Sequence, residues 1–75
     1  MIDRLKAVFA EVLSLPLDYD FESLKYRGVQ QWDSVAHMQI VDLIETEFDI
    51  MLETDDVIDM SSFTRTVEIL GKYIV

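Results

Sequence analysis

The apolar residues of the first third of the chain recur at helical spacing. Five of them fall at positions i, i+3, i+4, i+7 and i+8, which is the pattern of one buried helix face. They are Leu5, Val8, Phe9, Val12 and Leu13. The pattern predicts a helix over residues 3–14, with Asp3 as its N-cap. Pro16 disfavours helical backbone at the residue before it and should end the element.

Three further helices follow from the same reasoning. A stripe of Ile40, Leu43, Ile44 and Phe48 predicts a long helix over residues 34–47. The acidic run after Thr54 suits a helix N-terminus and predicts a short helix over residues 55–60. Ser61 and Ser62 should cap a last helix over residues 63–74, although Gly71 costs that helix about 1 kcal/mol relative to alanine. The expected fold is all-α: a small four-helix bundle in one domain, residues 1–75, with three longer helices and a short third helix.

A long first loop, residues 15–32, separates the first two helices. Four apolar residues should anchor it to the core, namely Leu17, Phe21, Leu24 and Val29. A short helical turn is expected near residues 21–25, and Trp32 should be a packing anchor at the end of the loop. The remaining core is expected from eight side chains: Phe9, Ile40, Ile44, Phe48, Ile58, Phe63, Val67 and Leu70.

Charge and composition narrow the function. Fifteen acidic residues against six basic ones give a formal net charge of -9. Such a chain is repelled by nucleic acid and anionic lipid, so proteins with basic patches are the expected partners. The absence of cysteine excludes disulfides and thiolate chemistry. No signal peptide or membrane-spanning stretch is present in the sequence, and a monomeric cytoplasmic protein is expected.

The pair Asp33-Ser34 opens the longest predicted helix. Both residue types are favoured helix caps, and a plain cap is the simplest interpretation. A catalytic serine is disfavoured because the sequence has one histidine, His37, and lacks a glycine elbow around Ser34. His37 is expected to be a partly buried helix residue. Ser34 should nevertheless be accessible to a modifying enzyme, at a helix end that favours phosphate.

These residues carry a resemblance to a known family. Asp33-Ser34-Val35 resembles the Asp-Ser-Leu attachment motif of acyl carrier proteins, and residues 44–50 resemble the acidic, phenylalanine-containing end of the same helix in that family. The order of the expected helices and the total length match over essentially the whole chain. Val35 departs from the usual leucine, and Ala36 and Gln39 lack the negative charges of typical fatty-acid carriers.

The resemblance implies that Ser34 receives a 4'-phosphopantetheine arm from coenzyme A through a phosphopantetheinyl transferase. The arm would hold acyl, aminoacyl or hydroxyacyl groups as thioesters, and loading ligases and synthases would do the chemistry, so the chain itself would not be an enzyme. Partner recognition is assigned to five residues: Asp33, Val35, Met38, Asp42 and Glu45. The thinner acidic face suggests a free-standing carrier of a specialised pathway, such as polyketide or surface-glycan synthesis, rather than bulk fatty-acid synthesis.

Two alternatives remain open. The chain would be an unmodified acidic helical interaction module if Ser34 only caps its helix. A calcium sensor is disfavoured: Asp18, Asp20 and Glu22 alternate as in a calcium loop, but Val29 stands where such a loop needs its bidentate glutamate. No specific metal site is expected.

Overall fold

The computed structural model describes residues 1–74 as a small all-α bundle. Its four helices are α1 (Ile2–Leu13), α2 (Ser34–Phe48), α3 (Thr54–Asp59) and α4 (Phe63–Leu70). A 3-10 turn, Phe21–Ser23, lies in the long loop after α1, where a helical turn was predicted. The all-α class, the helix order and the short third helix are confirmed. None of the helices described is long and apolar enough to cross a bilayer.

The core forms where α1 packs on α2, with α4 and the long loop closing its other side. Phe9 lies at its centre and makes edge-to-face contacts with Trp32 and Phe63, each with ring centroids 5.2 Å apart. Edge-to-face packing is the favoured geometry for aromatic pairs and adds to the stabilisation from burial. The predicted core residues Phe9, Ile40, Ile44, Phe63 and Leu70 are buried.

The long loop is anchored by packing and by backbone hydrogen bonds. Phe21 and Leu24 are buried, as is Trp32, which is fully enclosed. Two hydrogen bonds join the loop to the start of α4: Phe63 N donates to Leu24 O (3.0 Å), and Tyr26 N donates to Ser61 O (2.9 Å). The prediction for Leu17 was wrong, because its side chain is 68% exposed.

Two expectations about α3 and α4 were also wrong. Ile58 is 76% exposed rather than buried, because the short α3 lies on the rim of the bundle and buries no residue. α4 ends at Leu70 rather than at residue 74, and Gly71 begins a tight turn in which Lys72 N and Tyr73 N donate to Ile69 O and Leu70 O. Val67 and Phe48 are half-buried at the edge of the core. Val75, the predicted chain end after this helix, lies outside the described residues.

The helix caps differ from the sequence expectation at α1. Met1 occupies its N-cap position without a side-chain hydrogen bond, and Asp3 lies within the first turn, where its charge favours the helix dipole. At α4 the predicted cap is confirmed, because Ser62 Oγ accepts a hydrogen bond from Arg65 N at 2.9 Å.

Candidate functional site

Ser34 is the first residue of α2 and is exposed to solvent. The cap is formed by its neighbour: Asp33 Oδ1 accepts a hydrogen bond from Ala36 N at 2.9 Å. Among residues 1–74, the Ser34 hydroxyl has one side-chain contact, with the Tyr26 hydroxyl at 3.5 Å. The helix therefore does not need the Ser34 side chain as a cap, and that hydroxyl faces solvent at the helix N-terminus.

His37 lies one turn after Ser34, with both ring nitrogens engaged. Trp32 Nε1 lies 3.0 Å from His37 Nδ1, and His37 Nε2 lies 2.8 Å from Val57 O. Indole nitrogen is only a donor and a carbonyl oxygen only an acceptor, so Nδ1 must accept and Nε2 must carry the proton. His37 is thus a neutral structural link between the loop and α3. Neither nitrogen is free to activate Ser34.

Tyr26 is held against this link by aromatic packing. Its ring lies 5.3 Å from the His37 ring and 6.0 Å from the Trp32 ring, both edge to face. The Trp32 and His37 rings are themselves stacked, 17° from parallel. The hydrogen bond from Tyr26 N to Ser61 O fixes the backbone. These contacts hold the phenol beside Ser34. Tyr26 could not be identified from the sequence, because no local pattern places it there.

Arg27 follows Tyr26 in a left-handed conformation, with φ of 62°. Its amide donates to Trp32 O at 3.1 Å, and its guanidinium lies 5.5 Å from the centre of the Tyr26 ring. The contact with the Ser34 hydroxyl and the nearby Arg27 guanidinium lower the pKa of the Tyr26 phenol below its ordinary value. The pKa of Arg27 is raised, chiefly by Tyr26 and also by the charge of Asp33. The Arg27 cation therefore lies against the tyrosine whose hydroxyl contacts Ser34.

An apolar groove runs from Ser34 between α2 and α3. It encloses about 310 Å³, and its lining is mostly carbon. Its residues are Tyr26, Ser34, His37, Met38, Val57, Ile58, Met60 and Ser61. Ser34 and the exposed Ile58 both contribute to the lining of this groove.

Three of the five residues predicted to recognise partners, Val35, Met38 and Asp42, lie on one open face. Val35 and Met38 are 68% and 56% exposed, and they line a shallow surface with Ser34, Gln39 and Asp42. Glu45, one turn further along, is half-buried and its carboxylate accepts a hydrogen bond from Leu52 N at 2.8 Å.

Ala36 does not belong to this open face. In the resemblance to acidic carriers, Ala36 was interpreted as a surface position that lacks a charge. Only 7% of Ala36 is exposed, however. The position faces the core, so a small apolar side chain is required there whatever the partner.

The α3 wall of the groove is held by polar contacts. Lys72 Nζ lies 2.7 Å from Asp56 Oδ1, the Tyr73 hydroxyl also donates to Asp56, and Arg65 Nε donates to Asp59 at 3.0 Å. The pKa of Asp56 is lowered by the hydrogen bonds from Lys72 and Tyr73. The turn after α4 therefore positions α3.

Within residues 1–74, no three acidic or histidine side chains converge as a metal site requires. Comparison of the chain with family models, curated proteins and solved structures found no match.

Proposed function

We propose that the protein is an acyl carrier: Ser34 carries a 4'-phosphopantetheine arm, and partner enzymes act on the group that the arm holds. One observation carries the proposal, namely that the Ser34 hydroxyl is exposed at the N-terminus of α2 while Asp33 supplies the cap. A serine that is needed neither for capping nor for core packing, in a motif that resembles the attachment site of carriers, suits modification by another enzyme.

The surroundings of Ser34 favour a carrier over a catalyst. His37 is the only histidine, and both of its ring nitrogens are engaged with Trp32 and Val57, so Ser34 lacks a general base. When attached, the arm would supply a thiol that holds an acyl group as a thioester. The groove that begins at Ser34 would accommodate part of the arm or its cargo between α2 and α3.

The face around Ser34 suits docking of proteins with basic patches. Val35, Met38 and Ile58 expose apolar surface next to Ser34 or along the groove, and Asp42 supplies negative charge one turn beyond Met38. Apolar contacts would give affinity, while the charge would steer encounter with the transferase, loading ligases and synthases. The missing charge at Gln39 still favours a specialised pathway over bulk fatty-acid synthesis.

The decisive experiment is modification of the purified chain. Incubation with coenzyme A and a broad-specificity phosphopantetheinyl transferase should add the mass of one phosphopantetheinyl group, and Ser34→Ala should abolish the addition. Ser61→Ala is a matched control, because Ser61 is exposed and lines the same groove. An unmodified wild-type chain, under conditions that modify a known carrier, would refute the proposal.

The stability of Ser34→Ala gives a second test against the alternative of a plain interaction module. If Ser34 were the cap, its loss would cost about 1 kcal/mol. Because Asp33 is the cap, we expect a change within about 0.5 kcal/mol, as for ordinary surface substitutions. A Ser34→Ala protein that is stable, cannot be modified and no longer supports acyl transfer would favour the carrier. One that keeps all partner complexes would favour the module.

A further inference from the structure

The six cations of the chain differ in how they are paired. Arg4, Arg65 and Lys72 form ion pairs with carboxylates. Arg27, like Lys6 and Lys25, forms none among residues 1–74, although the chain carries a net charge of -9. Its guanidinium instead lies beside the Tyr26 ring, next to the residue that contacts Ser34. An unpaired guanidinium at this position is a ready partner for an anion.

The Tyr26 hydroxyl is also poorly satisfied. Its 3.5 Å separation from Ser34 Oγ lies beyond the usual range for a hydrogen bond between hydroxyl groups. The ring is nevertheless well fixed, because it packs on Trp32 and His37 and its backbone is bonded to Ser61. The phenol is therefore a placed donor without a close acceptor in the unmodified chain.

We propose that Tyr26 and Arg27 form a binding site for a phosphodiester attached to Ser34. The inference rests on the proposed function and adds to it the residues of this chain that hold the arm. Transfer of the arm breaks the pyrophosphate P–O bond of coenzyme A and forms a bond between Ser34 Oγ and phosphorus, with release of adenosine 3',5'-bisphosphate and the serine proton. Ser34 thereby loses its donor, and one negative charge, shared by two phosphate oxygens, is placed next to Asp33. Tyr26 O–H would donate to one of these oxygens, and Arg27 would offset the repulsion from Asp33.

Two physical arguments favour this assignment. A hydrogen bond from the Tyr26 O–H to an anionic phosphate oxygen would be charge-assisted, and therefore stronger than its 3.5 Å contact with the neutral Ser34 hydroxyl. Guanidinium groups bind phosphate oxygens well, and the N-terminal end of α2 adds favourable potential. Because Tyr26 also lines the groove between α2 and α3, a phosphate held there would start the arm along that groove.

The proposal can be tested on the loaded protein by phosphorus NMR. Wild type, Tyr26→Phe and Arg27→Gln are loaded to completion, as judged by intact mass, with Tyr19→Phe and Lys25→Gln as controls. Tyr19 is another half-buried tyrosine, and Lys25 is an exposed cation of the same loop. We expect the phosphodiester resonance to move in Tyr26→Phe and in Arg27→Gln but not in the controls. A resonance that is the same in all five proteins would overturn the inference.

A measurement on wild type alone keeps the test independent of the variants. The pKa of Tyr26, followed by NMR of its ring, should rise between the unmodified and loaded forms, because the phenol then faces an anion. An unchanged Tyr26 pKa would overturn the phosphate site. If the wild-type mass increases, but the phosphodiester resonance is the same in all variants and the Tyr26 pKa is unchanged, the carrier function is supported and the phosphate site is refuted. If the mass never increases, both fall.

Discussion

The His37 ring offers a sharp test of the structure around Ser34, because its two hydrogen bonds can be removed separately. The side-chain oxygen of asparagine lies close to where His37 Nδ1 lies and would still accept from Trp32. The amide nitrogen of glutamine reaches the region of Nε2 and would still donate to Val57 O. His37→Asn therefore keeps the Trp32 bond, and His37→Gln keeps the Val57 bond.

The free-energy costs of losing these two hydrogen bonds differ, because the Trp32 N–H is buried and the Val57 carbonyl lies on a partly exposed helix. Trp32 is 0% exposed, so its N–H would find no water in His37→Gln, and an unsatisfied buried donor costs about 1–3 kcal/mol. Val57 lies on a half-exposed helix, so water can replace the histidine and the cost is about 0.5–1.5 kcal/mol. Both variants also lose the ring contacts with Tyr26 and Trp32. We expect His37→Gln to be the less stable protein by about 1 kcal/mol.

Urea unfolding followed by fluorescence measures this difference directly, because Trp32 is the only tryptophan. A difference of 1 kcal/mol would also separate the two melting temperatures by about 4–8 °C. Gln39→Asn is the matched control: it makes the same exchange of glutamine for asparagine at an exposed position of α2. Glutamine is a better helix former than asparagine, so helix propensity alone would make His37→Gln the more stable of the two variants. Equal stabilities, or a more stable His37→Gln, would refute the assigned hydrogen bonds.

Two further predictions concern charge. The lowered pKa of Asp56 means that its carboxylate stabilises the fold above its ordinary pKa and ceases to do so as pH falls through the lowered value. The melting temperature of Asp56→Asn should therefore lie below that of wild type near pH 7, and this difference should disappear below about pH 4. The control is Asp55→Asn, at the exposed neighbouring position. A difference that does not change with pH, or one that is equally large for Asp55→Asn, would contradict the prediction. Asp42→Lys should slow transfer from basic partner enzymes at low salt and less so at high salt, compared with Asp18→Lys in the first loop. Identical rates for the two reversals would remove Asp42 from the docking face.

Local sequence patterns predicted the elements that present Ser34. Helical spacing located α1 and α2, and the Asp33-Ser34 pair located the start of α2, because a cap acts within three residues of itself. Pro16 and the polar residues after it predicted the long loop. Val35 and Met38, which were assigned to partner recognition, are exposed.

Features that depend on distant partners could not be predicted in the same way. The apolar Ile58 suggested burial, but α3 is too short to bury a face. It is held instead by polar contacts with Arg65 of α4 and with Lys72 and Tyr73 of the following turn. The end of α4 was also misplaced: residues 71–73 form a tighter turn, and the side chains of Lys72 and Tyr73 contact Asp56 from it.

The burial of Ala36 changes what the sequence says about the pathway. The argument for a specialised carrier counted two missing charges, at Ala36 and Gln39. An acidic side chain at Ala36 would be placed in the core, where burying an unpaired charge costs several kcal/mol. Its absence therefore reports on packing and not on partners. Of the two positions, Gln39 is the exposed one, so its missing charge is the one that bears on partner recognition.

The residues around Ser34 come from three separate parts of the chain, and their assembly explains why a short motif alone could not reveal the site. Tyr26 reaches Ser34 because its backbone pairs with Ser61, thirty-five residues further along, and because its ring packs on Trp32 and His37. A peptide containing only the loop and α2 would lack the Ser61 contact and would leave Tyr26 free to move. If the transferase requires only an exposed serine at a helix end, it should modify this peptide. Binding of the attached phosphate by Tyr26 and Arg27, in contrast, requires the folded bundle.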